Sequence, residues 1–282
     1  MHIVVNEKPQ KVPATLTLYQ LRERFCSTAD IIIHNGAPTT KDYPLRDNDK
    51  VVFIRRDHQP DINEIHEVLN ARHTPEVHTI LKGATVGIAG VGGLGSAVAV
   101  ALTRMGIGKL IIADYDCVEL SNLNRQQYFI DQIGLTKVEA LRANLARINP
   151  FTAINCVHRH LDNDNIAKIF TGIDVMVEAF DNAESKAMLA HLWLRQFPHI
   201  PLVAGSGMAG CGSSNTIQTK RTIGKMYICG DGISAEGEGF GLMASRVGIV
   251  AHHQANCVIQ LLLGIAPDSE ENHADNRQQS SC

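Results

Sequence analysis

The stretch "TVGIAGVGGLGSAVAVALTRMGIGKLIIAD", from Thr85 to Asp114, limits the possible folds of this chain more than any other segment. It reads as a strand, a glycine loop, a helix, a second strand and a terminal acid. Gly90, Gly92, Gly93 and Gly95 fall between the first strand and the helix. Glycines there let the backbone turn tightly and let a phosphate approach the N–H groups of the helix N-terminus. Asp114 closes the next strand roughly 20 residues on, where an acid binds ribose hydroxyls. The pattern asks for a nucleotide with a ribose and phosphates, and on its own makes NAD the default. No G-x-x-x-x-G-K-[ST] occurs, which excludes a P-loop.

Strands and helices alternate beyond Thr85. "KLIIAD", "AINCV", "IDVMVEAF" and "IPLVAGS" read as short apolar strands. "TKVEALRANLARINP", "ESKAMLAHLWLRQF" and "SRVGIVAHHQANCVIQLLLG" read as helices. In the first of these Val138, Leu141, Leu145 and Ile148 share a stripe, Thr136 and Glu139 suggest a capping box, and Pro150 ends it. Such alternation predicts an α/β fold, a Rossmann-like, mostly parallel sheet with helices on both faces. Residues 1–57 have a different rhythm. "HIVVN", "KVPATL", "DIIIHNG" and "DKVVFIRR" read as strands, and "TLYQLRERF" as a helix with Leu18, Leu21 and Phe25 on one face. That ββαββ order predicts a small α+β roll. The expected domains are therefore 1–57, a polar helical connector at 58–82 bracketed by Pro60 and Pro75, the large α/β domain at 83–266, and a polar, disordered tail at 267–282.

Composition narrows the function classes. Apolar residues make up 44% and charged residues 20%, enough for a sizeable core. A net charge of −3 without a long basic run argues against nucleic acid or an anionic membrane as partner. No apolar run is long enough to span a bilayer, and "MHIVVNEKPQ" does not read as a signal peptide, so a cytoplasmic setting is expected. The seven cysteines contain no C-x-x-C pair, so reduced thiols are expected and structural zinc is not.

The residues after Asp114 change the choice of nucleotide. "DYDCVELSNLNRQQYF" places Asn122, Asn124, Arg125 and Gln126 beyond the strand end. Lys137 then falls in the first turn of a helix, where a cation opposes the macrodipole and needs compensation, such as a polyphosphate. "VEAFDNAESK" puts Asp181 and Asn182 just past a buried strand. Carboxyl ends of parallel strands are where ligands bind in such sheets. Singly, each of these charges is most simply a solvated loop residue. Together, at successive strand ends, they form a clamp for a triphosphate and magnesium, which hydride transfer does not need.

"GVGGLG", "DYDCVELSNLNRQ", "GLTKVEAL", "RINP" and "EAFDNAESK" closely resemble the ThiF/MoeB/HesA family, relatives of the ubiquitin-activating enzymes. The resemblance runs from about Arg72 to Gly264. It implies use of ATP and Mg2+ to adenylate the C-terminal glycine carboxylate of a ubiquitin-like sulfur carrier, with release of pyrophosphate. By residue, it implies that Asp114 binds the ribose and that Arg125 and Lys137 hold the phosphates. Asp181 would bind magnesium, directly or through water. Arg72 is similar to the arginine that reaches the partner's ATP site in family homodimers, although its spacing to the glycine loop is shorter here. The first 57 residues resemble ThiS, the ubiquitin-like (β-grasp) sulfur carrier of thiamine thiazole synthesis. ThiS ends in Gly-Gly, whereas here "VVFIRRDHQP" runs straight on. This domain is therefore not the adenylated substrate, and a separate ThiS-type carrier with a Gly-Gly terminus is implied. The fused domain serves stability or dimerisation, or else docks or mimics the carrier.

Some members of the family use a cysteine covalently. Cys211 and Cys229 are the candidates here, and Cys229, in a glycine-rich stretch read as mobile, is preferred, although an ordinary buried thiol is the commoner case. Among thirteen histidines, neither His158 with His160 nor His252 with His253 completes a metal-ligand set. The competing readings are the same chemistry on a molybdopterin-type carrier, a peptide carboxylate or a tRNA base, an NAD-dependent dehydrogenase, and a non-enzymatic scaffold.

Overall fold

The computed structural model describes residues 1–6, 8–56, 61–235, 237 and 241–267. Pro60 and the expected tail beyond Pro267 lie outside these residues. The chain divides into two compact units, Met1–His78 and Thr79–Cys282.

In the first unit, strands β1 (His2–Val5) and β2 (Lys8–Lys11) pair antiparallel, and helix α1 (Leu18–Phe25) follows. Strands β3 (Ile31–His34), β4 (Ala37–Thr39) and β5 (Lys50–Ile54) complete a five-stranded sheet in the order β2-β1-β5-β3-β4. The second strand lies earlier than "KVPATL" suggested, because Pro13 supplies no N–H to prolong it. β4 was not anticipated. It exists because Asn35 and Gly36 both adopt positive φ, +49° and +85°, and turn the chain back on itself. Thr17 and Gln20 form a capping box at the start of α1. Leu18 and Leu21 pack against Ile3, Val5, Val51 and Phe53, but Phe25 stays exposed at the helix end, with the Arg24 guanidinium beside its ring. The polar connector is two helices, α2 (Ile62–His73) and α3 (Pro75–Gly83). Asp61 caps α2 by accepting from Asn63 N and Glu64 N. Pro75 opens α3, a position where a missing N–H costs nothing.

The second unit is built on a seven-stranded sheet. Its strands are β6 (Thr85–Ala89), β7 (Lys109–Asp114), β8 (Ala153–His158), β9 (Val175–Glu178), β10 (Leu202–Gly205), β11 (Gln218–Arg221) and β12 (Met226–Gly230). The order is β11-β12-β10-β9-β6-β7-β8, parallel throughout except for β11, an antiparallel edge strand. The chain steps outward from β6 through β7 to β8, then returns to the other side of β6 with β9. That reversal is a switch point, where the strand ends open a crevice. Helices α4 (Gly93–Arg104), α5 (Lys137–Ile148), α6 (Ile166–Ile169), α7 (Ala183–Gln196) and α8 (Ala244–Leu262) link and cover the strands. The β11–β12 hairpin was not anticipated, because β11 (QTKR) is polar throughout and offers no apolar alternation. The expected capping box of α5 is absent: Thr136 Oγ1 donates to Glu139 Oε2 at 2.8 Å rather than accepting a backbone N–H. Among the described residues, no helix is long and apolar enough to cross a membrane.

Phe170, Ile173, Met176, Leu189, Trp193 and Leu202 form a core between the sheet and α6–α7. Gly87 leaves the room that Phe170 fills, since a Cβ there would meet the phenyl ring at 2.7 Å. Phe170→Ala is expected to cost about 3–5 kcal/mol. Urea unfolding of the two proteins checks this, and a loss below about 1 kcal/mol would show that the site collapses around the cavity.

Candidate active site

The crevice at the switch point is a cavity of about 360 Å³. Seven of the residues expected from the sequence line it: Gly92, Gly93, Asp114, Arg125, Gln126, Lys137 and Asp181.

The glycine loop leaves β6 through Gly90 (φ +85°) and enters α4 at Gly93. The four glycines divide into two roles. A Cβ on Gly95 would lie 1.9 Å from Gly90 O, and one on Gly90 would lie 2.8 Å from Ala179 O. Gly90 and Gly95 therefore serve close packing of the loop and do not line the cavity, contrary to their assignment as ligand residues. Gly92 and Gly93 face it.

Asp114, at the end of β7, is 9% exposed. Its Oδ2 accepts from Val91 N at 2.8 Å and its Oδ1 from Asp116 N at 2.9 Å. Burial pushes its carboxyl above the usual range, outweighing those two amides and the Lys137 charge. Each oxygen keeps a lone pair for a further donor. Lys137 is buried, and its first-turn charge already has a partner that the sequence reading overlooked: Nζ lies 2.6 Å from Asp116 Oδ2. Its backbone N also donates to Asp116 O at 2.9 Å.

Arg125 is half-buried over the glycine loop, its Nη1 donating to Ser121 O at 3.1 Å and to Asn124 Oδ1 at 2.8 Å. Gln126 is buried, and its Oε1 has no hydrogen-bond partner among the described residues. Asn122 and Asn124 do not line the cavity. Asn122 Oδ1 accepts from Glu119 N, and Asn124 Nδ2 donates to Leu242 O, so both shape the loop that presents Arg125.

Asp181 is exposed on the turn between β9 and α7, beside Asn182, which caps α7 by accepting from Ser185 N at 2.8 Å. The sequence reading missed Glu178 and Lys186 here. Lys186 lines the cavity and pairs with buried Glu178, Nζ to Oε1 2.9 Å. Burial raises the Glu178 carboxyl, against the opposing pull of Lys186 and two backbone amides. An acid closing an apolar strand, with a lysine early in the next helix, was the available signal.

Arg72 lies exposed in α2, within the first unit. Cys229 does not occupy a mobile stretch. It lies within β12, wholly buried, 3.6 Å from Thr219 Oγ1. The Cys257 thiol holds its pKa below the usual value despite that burial. An attacking thiol needs access, and this one has none. Cys211 is exposed in the segment after β10. His160 lines the cavity with its ring packed against Tyr115, centroids 5.0 Å apart.

A second buried pair, Arg246 with Asp231 (2.6 Å), ties α8 to the far wall. Arg246 Nη1 also donates to Gly212 O and Ser213 O, and Asp231 accepts from the Ile233 and Ser234 amides. Ile233 and Ser234 line the cavity.

A doubly wound sheet with a glycine loop, a ribose-type acid and cations at its switch point defines a nucleotide-binding α/β protein. The chain belongs to the ThiF family, whose model matches residues 70–280, while residues 1–57 match ThiS-like ubiquitin. The molybdopterin-synthase adenylyltransferase of Salmonella typhimurium is 34% identical over 188 residues, covering 64% of this chain and 74% of that protein. The adenylyltransferase and sulfurtransferase MOCS3 of Drosophila virilis is 32% identical over 195 residues. That match covers 66% of this chain and 42% of that longer protein. Among solved structures, E. coli tRNA N6-threonylcarbamoyladenosine dehydratase, TcdA, in complex with AMP shares the fold. Its TM-score is 0.64 at 24% identity, over 70% of this chain and 93% of that one.

Although burial pushes the Asp231 carboxyl up, hydrogen bonds from Ser234, Ile233 and Arg246 outweigh this and hold it well below the ordinary value of about 3.9. A carboxyl with a lowered folded pKa contributes stability above about pH 3.9 and loses it as pH falls toward that lower value. The free energy of unfolding should therefore drop between about pH 5 and about pH 3, and drop less in Asp231→Asn. Urea melts at the two pH values check this; equal drops would remove Asp231 from the acid response.

Proposed function

We propose that this ThiF-family adenylyltransferase uses ATP to activate the C-terminal glycine carboxylate of a separate ThiS-type sulfur carrier, releasing pyrophosphate, in thiamine thiazole biosynthesis. The observation that carries the reading is the convergence of Arg125, Lys137 and Asp181 with Asp114 on one cavity. A dinucleotide needs the glycine loop and the ribose acid. A triphosphate gives the two cations and the further acid a use. E. coli TcdA has been solved with both AMP and ATP, which supports an adenine nucleotide in this fold.

In this reading Asp114 accepts from the ribose hydroxyls, and Gln126 lines the cavity beside the nucleotide. Gly92 and Gly93 expose backbone to the phosphates at the start of α4, where the helix dipole favours negative charge. Arg125 and Lys137 hold the phosphates as the carrier carboxylate attacks the α-phosphorus and pyrophosphate leaves. Asp181, exposed and lining the same cavity as these cations, fits magnesium, which takes one or two carboxylates together with phosphate oxygens. Bound magnesium would neutralise phosphate charge, and Asp181 would hold it directly or through water. Arg72 is assigned to the neighbouring ATP site of a homodimer, and the thiol-rich chain to a reducing, cytoplasmic setting.

The ThiS-like match at residues 1–57 favours the thiamine carrier. A second reading, adenylation of a molybdopterin-type carrier, draws on the 34% identical Salmonella relative. ATP–pyrophosphate exchange tests both. Exchange should require a carrier ending in Gly-Gly, and a ThiS-type carrier should support it better than a molybdopterin-type one; the reverse order would reassign the substrate. Arg125→Ala and Asp181→Ala should each lower exchange about 100- to 1000-fold. Near-normal exchange in either variant would remove that residue from the phosphate site.

A further inference from the structure

Glu178 closes β9 and is 2% exposed, yet the proposed chemistry assigns it no part. Its carboxylate accepts from the Phe180 amide at 2.7 Å and from Lys186 Nζ at 2.9 and 3.1 Å. Lys186 Nζ also donates to Gly205 O at 3.0 Å. Both carboxylate oxygens and Gly205 O thus converge on one ammonium group. The two side chains thus join the end of β9, the end of β10 and the first turn of α7. Asp181 sits on the turn between β9 and α7. The start of that turn is already pressed on the glycine loop, with Ala179 N donating to Ala89 O at 2.9 Å and Ala179 O closing on Gly90.

We propose that Glu178 and Lys186 form a positioning strut that holds the Phe180–Asn182 turn, and with it Asp181, against the glycine loop. The proposal rests on the adenylation reading, in which Asp181 serves the reacting phosphates. The physical case is the low exposure of the acid. Without the amine, a buried carboxylate loses its counter-charge and Gly205 O loses its donor, so the turn must move to re-satisfy them. A displacement of about 1 Å at a reacting group costs on the order of 100-fold in rate.

Three variants separate this role from direct contact: Lys186→Met, Lys186→Arg, and the double variant Glu178→Gln with Lys186→Met. In the double variant no unpaired buried charge remains, and the amide introduced at position 178 keeps an oxygen to accept from Phe180 N. Lys186→Met should lower the rate constant of exchange about 100-fold, while calorimetric ATP affinity stays within about threefold of wild type. Hydrogen–deuterium exchange at the Phe180 amide should quicken in this variant. Lys186→Arg and the double variant should restore both the rate and the amide protection. A double variant as slow as Lys186→Met would overturn the proposal, because the charge itself would then act on substrate. Unchanged Phe180 protection in Lys186→Met would also overturn it. If Lys186→Met does not fold, the double variant decides, and must keep near wild-type rate and protection. Absence of exchange in the wild type with either carrier would refute the functional reading alone, and Phe180 protection would still decide the strut.

Discussion

The carboxylate of Asp114 accepts hydrogen bonds from two separate segments, one through each oxygen. Val91 N brings in the glycine loop and Asp116 N brings in the loop after β7. Asp116 in turn holds Lys137 through both its carbonyl and its carboxylate. One buried acid at a strand end therefore sets the phosphate-facing loop and, one step removed, the first turn of α5. Gly90 N adds a bond to Ala113 O, so β7 positions the loop with its backbone as well as its terminal side chain. The acid that marks a ribose site in sequence is also what holds that site together. Burial raises its pKa, and the two amides and Lys137 counter that cost.

Much of this architecture was legible in the sequence because it rests on local rules. The runs of buried apolar residues in β6, β7, β9 and β10 need both faces covered, so a parallel sheet under helices follows from their alternation with helical segments. The glycine loop was legible as a loop, but its division of labour was not. Whether a glycine faces a ligand or a carbonyl depends on which segment folds against it, and Ala179 lies far along the chain from Gly90. The same holds for charge. Lys137 needed compensation by the dipole argument, yet only the fold shows that Asp116 supplies part of it. Asn122 and Asn124 had the right chemistry for a ligand and are used instead to shape a turn. Cys229 was read as lying in a mobile stretch because glycines surround it, but the unanticipated hairpin partner β11 and helix α8 enclose it. Most of these misses come from contacts between segments distant in the chain, which periodicity does not encode; Asn122, bonded to Glu119 N three residues away, is the exception.

Three charged pairs border the cavity, and they share a plan. Lys137, Lys186 and Arg246 each lie in the first turn of a helix, α5, α7 and α8. Asp116, Glu178 and Asp231, their partners, each lie at or just past the end of the preceding strand, β7, β9 and β12. A cation in a first turn is opposed by the helix dipole by about 0.3–1 kcal/mol, and leaving a buried charge without its partner costs several times that. The strand-end acids offset both penalties and fix each helix start to the sheet edge. The wall is thus ordered before a ligand arrives, the condition under which fixed charges stabilise a developing charge best. These pairs also cancel most of their own fields. Arg125 differs, since the bonds it makes here are to the neutral oxygens of Ser121 and Asn124. In the adenylation reading a polyphosphate meets two kinds of cation: Arg125, whose charge is largely uncancelled, and Lys137, which must be shared with Asp116. Long-range attraction then falls to Arg125. Lys137, buried and held at 2.6 Å by its acid, is suited to fixing geometry once the phosphates are in place.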